Sequence, residues 1–372
     1  MAAGSAVVGI LLVALVLFDT FEAVVLPRRV TRPYRFSRVY YRAVWLVWCR
    51  LADGLPARRR QGVLSVFGPL SLLALFAIWA VGLMLGFGLL HYSAAAYDQQ
   101  FGDSLYLSGT TFTTLGYGDV NPKGFAGRLL SVVEGLLGLG FLAVVVGYLP
   151  VFYQAVSRRE LTISLLDSRA GSPPSGGALL LRLPPDQGGA LARCLEDTER
   201  WAAEVLESHL SYPVLSYYRS QHDNQSWLAA LTCVLDAAAL ALTVTSGADR
   251  QQARLTFAMA RHALVDIALV LRRPPVAPPH DRLPPERLAE LVAALRSAGC
   301  GVRDDDAAVA KLTELRGLYE PYAQALATYL RLDLPPAWPD AGKPDNWQTS
   351  AGMRRAAGLA QLAAGPADDH FV

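Results

Sequence analysis

The 372-residue chain reads as an all-α membrane protein with a soluble helical part, and three observations point there. Hydrophobic residues make up 52% of it and mean hydropathy is +0.27, too apolar for an ordinary soluble protein and too polar for a wholly embedded one. Apolar runs long enough to cross a bilayer occupy 5–26, 63–91 and about 127–153, and helical patterns punctuated by Gly and Pro fill much of the rest. Charge is also unevenly placed. Ten arginines against one acid, Asp53, lie between Pro27 and Gly62, whereas Tyr92 to Phe125 holds three acids and one lysine. Basic loops stay on the cytoplasmic side, so the first stretch is expected inside and the second outside.

Taken in order, residues 5–26 form a first span. Fourteen Leu, Ile, Val and Phe outweigh Asp19 and Glu22, which lie near its inner end. No basic start and no small-residue cleavage site mark it as a signal peptide, so it reads as an anchor with its N-terminus outside. Asp19 and Glu22, one turn apart, are expected to pair with the arginines that follow. Residues 35–53 read as an amphipathic helix lying in the headgroup plane. At 100° per residue Arg35, Arg38, Arg42 and Arg50 share one face, toward anionic lipid, and Tyr40, Tyr41, Val44, Val47, Trp48 and Leu51 share the other, toward the acyl chains. A voltage sensor is the less favoured reading, because crossing here would put Arg28 and Arg29 outside. Residues 63–91 carry no charge and form a second span entering from the Arg58–Arg60 cluster, with His91 expected as a lone surface histidine at its outer end.

Asp103 and Ser104 suit the N-cap of a short helix ending near Thr113, whose carbonyl end favours a cation. Beyond it stands Thr114, Leu115, Gly116, Tyr117, Gly118, Asp119. A potassium pore must replace an ion's hydration shell with backbone carbonyls from four copies of such a loop, all facing one axis. Glycines at 116 and 118 permit the backbone angles this needs. Thr114 adds a hydroxyl below, and Tyr117, pointing away, props the strand.

On these residues, 63–156 resemble the two-helix pore module of potassium channels. The resemblance implies that Thr113 and Thr114 form the threonine pair at the filter base, Leu115 to Gly118 the carbonyl rungs and Asp119 the acid above. It implies that Pro122 and Gly127-Arg128 turn the chain into the inner helix, that Gly138 is its hinge, that Leu139, Leu142 and Val146 face the cavity, and that Pro150 lies near the gate. Leu115 stands where Val or Ile is usual, Thr110 where several members carry an acid behind the filter, and Tyr106-Leu107 where many carry two tryptophans. Selectivity is expected to survive these departures, and filter stability to differ. A hydrogen bond from Tyr106 to Asp119 is expected.

The inner helix is expected over about 127–153, weakened by Gly135, Gly138, Gly140 and Gly147 and bent by Pro150. Glu134 lies one turn before Gly138, its partner unknown. Gly138, Gly140 and Ala143 match a dinucleotide-binding spacing, but no strand precedes them. Residues 157–183, with Ser-Pro-Pro-Ser at 172–175, read as a connector. Helical signals follow at 187–209, 224–245, 249–272, 286–299 and 304–331, giving a cytoplasmic all-α domain over 184–332, split by a Pro-rich linker at 274–285. The segment from Trp227 to Thr245 is read as a buried bundle helix, Asp304–Asp306 as a helix cap, and 333–372 as a partly disordered tail.

The sequence thus predicts a potassium-channel pore (63–156) with one extra N-terminal span and an interfacial helix (1–62), plus the helical domain. The expected assembly is a homotetramer in the cell membrane that conducts K⁺ passively, touches anionic lipid, and offers its helical domain to a ligand or protein. No catalytic, cofactor or nucleic-acid motif appears. Four scattered cysteines without metal spacing read as reduced thiols.

Overall fold

A computed structural model describes residues 2–25, 35–95, 100–185, 188–220, 225–247 and 250–339, and among them every long element is a helix. Three are long and apolar enough to cross a membrane: Gly4–Val24, Arg59–Ala94 and Gly124–Ala170. The chain divides into two compact units, Met1–Gln154 and Ala155–Val372.

The first unit is organised on α3 (Ala57–Ala94). Between membrane helices the hydrophobic effect offers little, so small residues that permit close approach decide the packing. Gly82 and Gly86 do this for α1 (Ala2–Thr20). A methyl group on Gly86 would stand 2.7 Å from Val13 Cγ2, one on Gly82 2.9 Å from Val16 Cγ2, and one on Gly9 2.8 Å from the Gly86 carbonyl. The amphipathic helix forms as α2 (Phe36–Asp53), but its aromatic face is not spent on lipid. Trp45 and Trp48 pack on Phe67 at 4.7 and 5.8 Å, Trp48 Nε1 donates to the Val63 carbonyl at 2.9 Å, and Tyr40 donates to that of Ser71 at 2.9 Å. Of the face expected toward the acyl chains Val47 and Leu51 stay exposed, together with Phe36, Val39 and Leu46 from outside it.

Asp19 is buried where α1, α2 and α3 meet, and its expected arginine pair is a minor part of its environment. It accepts from Ser37 N and Oγ at 3.2 Å each and from Trp79 Nε1 at 3.0 Å, with Arg35 Nε at 3.9 Å; Arg28 and Arg29 lie outside the described residues. Neutral donors from two other helices therefore carry the satisfaction that a buried carboxylate requires. The short helix α4 (Phe101–Phe112) begins after Gln100, so Ser104 is not its cap but lies buried inside it, and Asp103 sits in its first turn where the helix dipole favours an acid.

Helix α5 (Gly124–Ala170) is unbroken, with Pro150 inside it. The stretch expected as a connector is therefore mostly helical: Ile163, Leu166 and Ala170 are buried at three- and four-residue spacing, and α6 (Gly176–Arg182) follows. The remaining helices are α7 (Ala190–Ser211), α8 (Trp227–Thr243), α9 (Arg250–Val270), α10 (Pro285–Ser297), α11 (Asp306–Gly317) and α12 (Glu320–Leu330). At 17 residues α8 is short for a span, and it is buried along nearly its whole length as the axis of the bundle.

At the centre of α8 lies Asp236, a buried charge that would be costly unpaired. Arg282 takes both of its oxygens, at 2.6 and 3.2 Å, and Tyr319 donates a further hydrogen bond. Burial opposes a charged Arg282, but the Asp236 carboxylate beside it wins and holds the guanidinium above its ordinary range. This overturns the linker reading of 274–285: Arg282 is part of the core, and Val276 N donates to the Pro321 carbonyl at 3.0 Å. The single helix expected over 304–331 is two, broken between Gly317 and Glu320, and Asp305 caps α11 by accepting from Ala308 N at 2.8 Å. The first residues of the expected tail are also built in. The Ala337 carbonyl accepts from Gly177 N at 2.9 Å and Ser175 Oγ at 2.8 Å, and Ala337 N donates to the Arg282 carbonyl at 3.1 Å. Residues 340–372 lie outside the described residues. All four cysteines are buried and none forms a disulfide.

Candidate functional site

The loop between α4 and α5 alternates in backbone handedness. Thr114, Gly116 and Gly118 have φ of +60°, +56° and +80°, and Leu115 and Tyr117 between them do not share the positive sign. Such alternation turns successive peptide units the same way, so that their polar groups line one side. Nothing crowds either glycine within the chain, so their backbone angles and not space require them. Thr114 has a Cβ and carries about 1–2 kcal/mol of strain for its angle. Strain of that kind persists where the surroundings over-determine it, and here they do. Thr114 N donates to the Thr111 carbonyl at 3.1 Å and Gly116 N to that of Thr110 at 3.2 Å, while Asn121 Nδ2 donates to the Gly118 carbonyl at 3.0 Å. Thr113 Oγ1 and Thr110 Oγ1 are committed to carbonyls of their own helix, Gly109 and Leu107.

Tyr106 donates to Asp119 Oδ1 at 3.2 Å, the bond expected from sequence, and so ties α4 to the far end of the loop. Leu115 and Tyr117 are 59% and 70% exposed, leaving the loop open on the side away from α4. In α5, Leu139, Leu142, Val146 and Pro150 are exposed, and Gly147 meets nothing within 4 Å. Gly138 differs: a methyl group there would lie 2.2 Å from the Phe112 carbonyl, so close packing of α5 on the end of α4 by itself accounts for this glycine. Of the four arginines grouped on α2 and at its N-cap, Arg42 and Arg50 are exposed, whereas Arg35 and Arg38 are half-buried.

Sequence reasoning missed one cluster. His91 is no lone surface residue: at 2% exposure its Nε2 lies 2.9 Å from Oε2 of Glu134, which is 0% exposed. The other carboxyl oxygen, Oε1, is hydrogen-bonded to Ser108 Oγ, and Ser108 Oγ also reaches the Met84 carbonyl at 2.8 Å. Three helices, α3, α4 and α5, meet in this knot directly behind the loop. The signal was available, since ionisable residues inside apolar spans usually pair with one another.

In the second unit Arg159 is buried, not a solvated basic residue. Its guanidinium donates to the carbonyls of Leu215 and Tyr218 at 3.0 and 2.9 Å, and its own carbonyl accepts from Trp201 Nε1 at 3.3 Å. Beside it a cavity of about 310 Å³ is lined by Ala155, Arg158, Trp201, Glu204 and Ser208.

Residues 72–155, which hold most of α3, all of α4 and the upper part of α5, match the family model described as "Ion channel", and this stretch is an ion-channel module. Protein LctB of Geobacillus stearothermophilus is 54% identical over 44 residues, 12% of this chain and 32% of that protein. Protein LctB of Bacillus caldotenax is 52% identical over 44 residues, with the same shares. The uncharacterized membrane protein YdjJ of Bacillus subtilis (strain 168) is 28% identical over 209 residues, 53% of this chain and 58% of that protein. The chain thus spans about a third to somewhat over half the length of these relatives. No solved structure matches it.

Proposed function

We propose that the chain is one subunit of a homotetrameric, potassium-selective channel of the cell membrane. The observation that carries this reading is the alternating handedness at Thr114, Gly116 and Gly118, which suits a column of carbonyls along one axis. One loop per chain supplies one wall of such a column, so four copies close it. The exposed faces of the loop and of α5 at Leu115, Tyr117, Leu139, Leu142 and Val146 are then the surfaces that meet the axis and the neighbouring copies. K⁺ is the cargo, coordinated in turn by Thr114 Oγ1 and the carbonyls of residues 114–118, and its passage is downhill, with no covalent step.

In this reading the N-terminus is outside and the helical domain cytoplasmic. Arg42 and Arg50 face anionic headgroups, with Arg35 and Arg38 at the margin of the same face. Bending of α5 near Gly147 and Pro150 opens the pore, and the helical domain biases it. Flux from liposomes holding the purified full-length protein tests the proposal. Potassium-selective, barium-blocked flux is expected, and it is abolished by Gly116→Ala or Tyr117→Ala in a protein that remains tetrameric. A Cβ at position 116 costs about 1–2 kcal/mol in each of four loops. Equal sodium and potassium flux, or a monomer, overturns the reading, and silence from intact tetramers favours a membrane scaffold.

A further inference from the structure

We infer that Glu134 is a buried proton-binding site, a neutral carboxylic acid whose proton completes a hydrogen-bond chain running from α3 through α5 and α4 back to α3 behind the conduction loop. The argument rests on counting protons. Ser108 Oγ has one hydrogen and two neighbours, the Met84 carbonyl and Glu134 Oε1. A carbonyl can only accept. Were Glu134 a carboxylate, both neighbours would be acceptors, and one close oxygen pair would be left with no hydrogen between. A proton on Oε1 resolves this. Glu134 O–H donates to Ser108 Oγ, Ser108 O–H donates to the Met84 carbonyl at 2.8 Å, and His91 Nε2–H donates to Glu134 Oε2 at 2.9 Å. Each of these hydrogens then has one acceptor and the carboxyl carries no charge, as a site at 0–2% exposure inside a membrane favours.

Two further hydroxyls lie near the chain in sequence. Ser104, one turn before Ser108 on α4, and Ser131, three residues before Glu134 on α5, each hold a buried hydroxyl with no hydrogen-bond partner among the described residues. The other ionisable groups on the surrounding helices are already placed. Tyr92 on α3 packs its ring on Phe101, Tyr106 on α4 is bonded to Asp119, and Asp103 on α4 and Arg128 on α5 are exposed; α1 brings no ionisable side chain before Asp19. Glu134 is thus a positioning residue. When pH rises enough to remove its proton, the single Ser108 hydrogen turns to the carboxylate, α4 loses its tie to the Met84 carbonyl of α3, and conduction falls; this last step rests on the channel reading above.

Infrared spectroscopy of the purified full-length protein separates the two ideas, since it needs no flux. A carboxylic-acid C=O band is expected at neutral pH that shifts in D₂O, disappears on alkalinisation and is missing in Glu134→Gln. In liposomes Glu134→Ala loses flux. Glu134→Gln, whose amide can donate to Ser108 and accept from His91, restores it to within about tenfold, the span of one neutral hydrogen bond, and removes the alkaline loss. Absence of that band, or an alkaline loss of flux unchanged in Glu134→Gln, overturns the inference. A silent protein that shows the band overturns the channel reading and keeps the proton where it is placed.

Discussion

The loop from Thr114 to Asp119 owes its shape to single residues, and so do its expected responses. Tyr106→Phe removes one exposed hydrogen bond to Asp119 and should leave selectivity intact while altering how long the loop stays conductive, read from single-channel records. Gly138→Ala should behave differently. Its methyl group would meet the Phe112 backbone at 2.2 Å, which no side-chain rotation relieves, so α5 must move away from α4. Overpacking of this kind typically costs about 1–3 kcal/mol, visible as a lower melting temperature in detergent, whereas Gly140→Ala, with nothing within 4 Å, should not shift it. Preserved stability with a stiffened gate would instead support the hinge reading of Gly138. At this scale the loop was legible in sequence because its chemistry is local: a glycine at positive φ needs no distant partner. The bond from His91 to Glu134 was not, because 43 positions separate residues that only the packing of three helices brings together.

Among the elements, α2 shows what periodicity conceals. The pattern separates arginines from aromatics correctly, but a two-faced wheel has no place for a third side, and the helix divides its apolar residues between α3 and the outside. Trp45→Ala should therefore unfold rather than merely release it, costing about 3–5 kcal/mol in a denaturation experiment, because Trp45 is 2% exposed against Phe67. Replacing Arg42 and Arg50 with Gln should leave stability unchanged and reduce binding of the detergent-solubilised protein to anionic, but not neutral, vesicles. Arg159 belongs to the same class of hidden partner. Arg159→Met would remove the guanidinium's hydrogen bonds to the Leu215 and Tyr218 carbonyls, at about 1–3 kcal/mol. Helix positions were mostly legible from Gly and Pro punctuation. The break between α11 and α12 was signalled by Gly317 and Pro321 and passed over. The unbroken run of α5 to Ala170 was obscured by the Ser-Pro-Pro-Ser sequence that lies just beyond its end.

For the molecule as a whole, the buried polar groups of the helical domain set its response to acid. His209 lies 4.9 Å from the Trp227 ring, with Nδ1 on the Val205 carbonyl, and burial, helped by Arg159, drives its pKa down from 6.5 to about 3. A base depressed in the folded state stays neutral there while the unfolded chain takes up a proton. Stability conferred by the neutral form is therefore full above about pH 6.5 and is lost as pH falls toward 3, by up to about 1.4 kcal/mol per pH unit. Denaturation followed by tryptophan fluorescence should show this slope between pH 6.5 and 5, and His209→Phe should flatten it.

The clasp made by Ala337 on Ser175, Gly177 and Arg282 bears on how far the protein can be shortened. Residues after α12 would ordinarily be trimmed without thought. Here, cutting after Leu330 exposes the notch in which Trp338 lies 2.7 Å from where a Gly177 methyl would sit, and strands the Ser175 hydroxyl and the Arg282 carbonyl together. A shortened version that keeps this clasp therefore retains the chain at least to Pro339, and a fusion or tag belongs beyond that point.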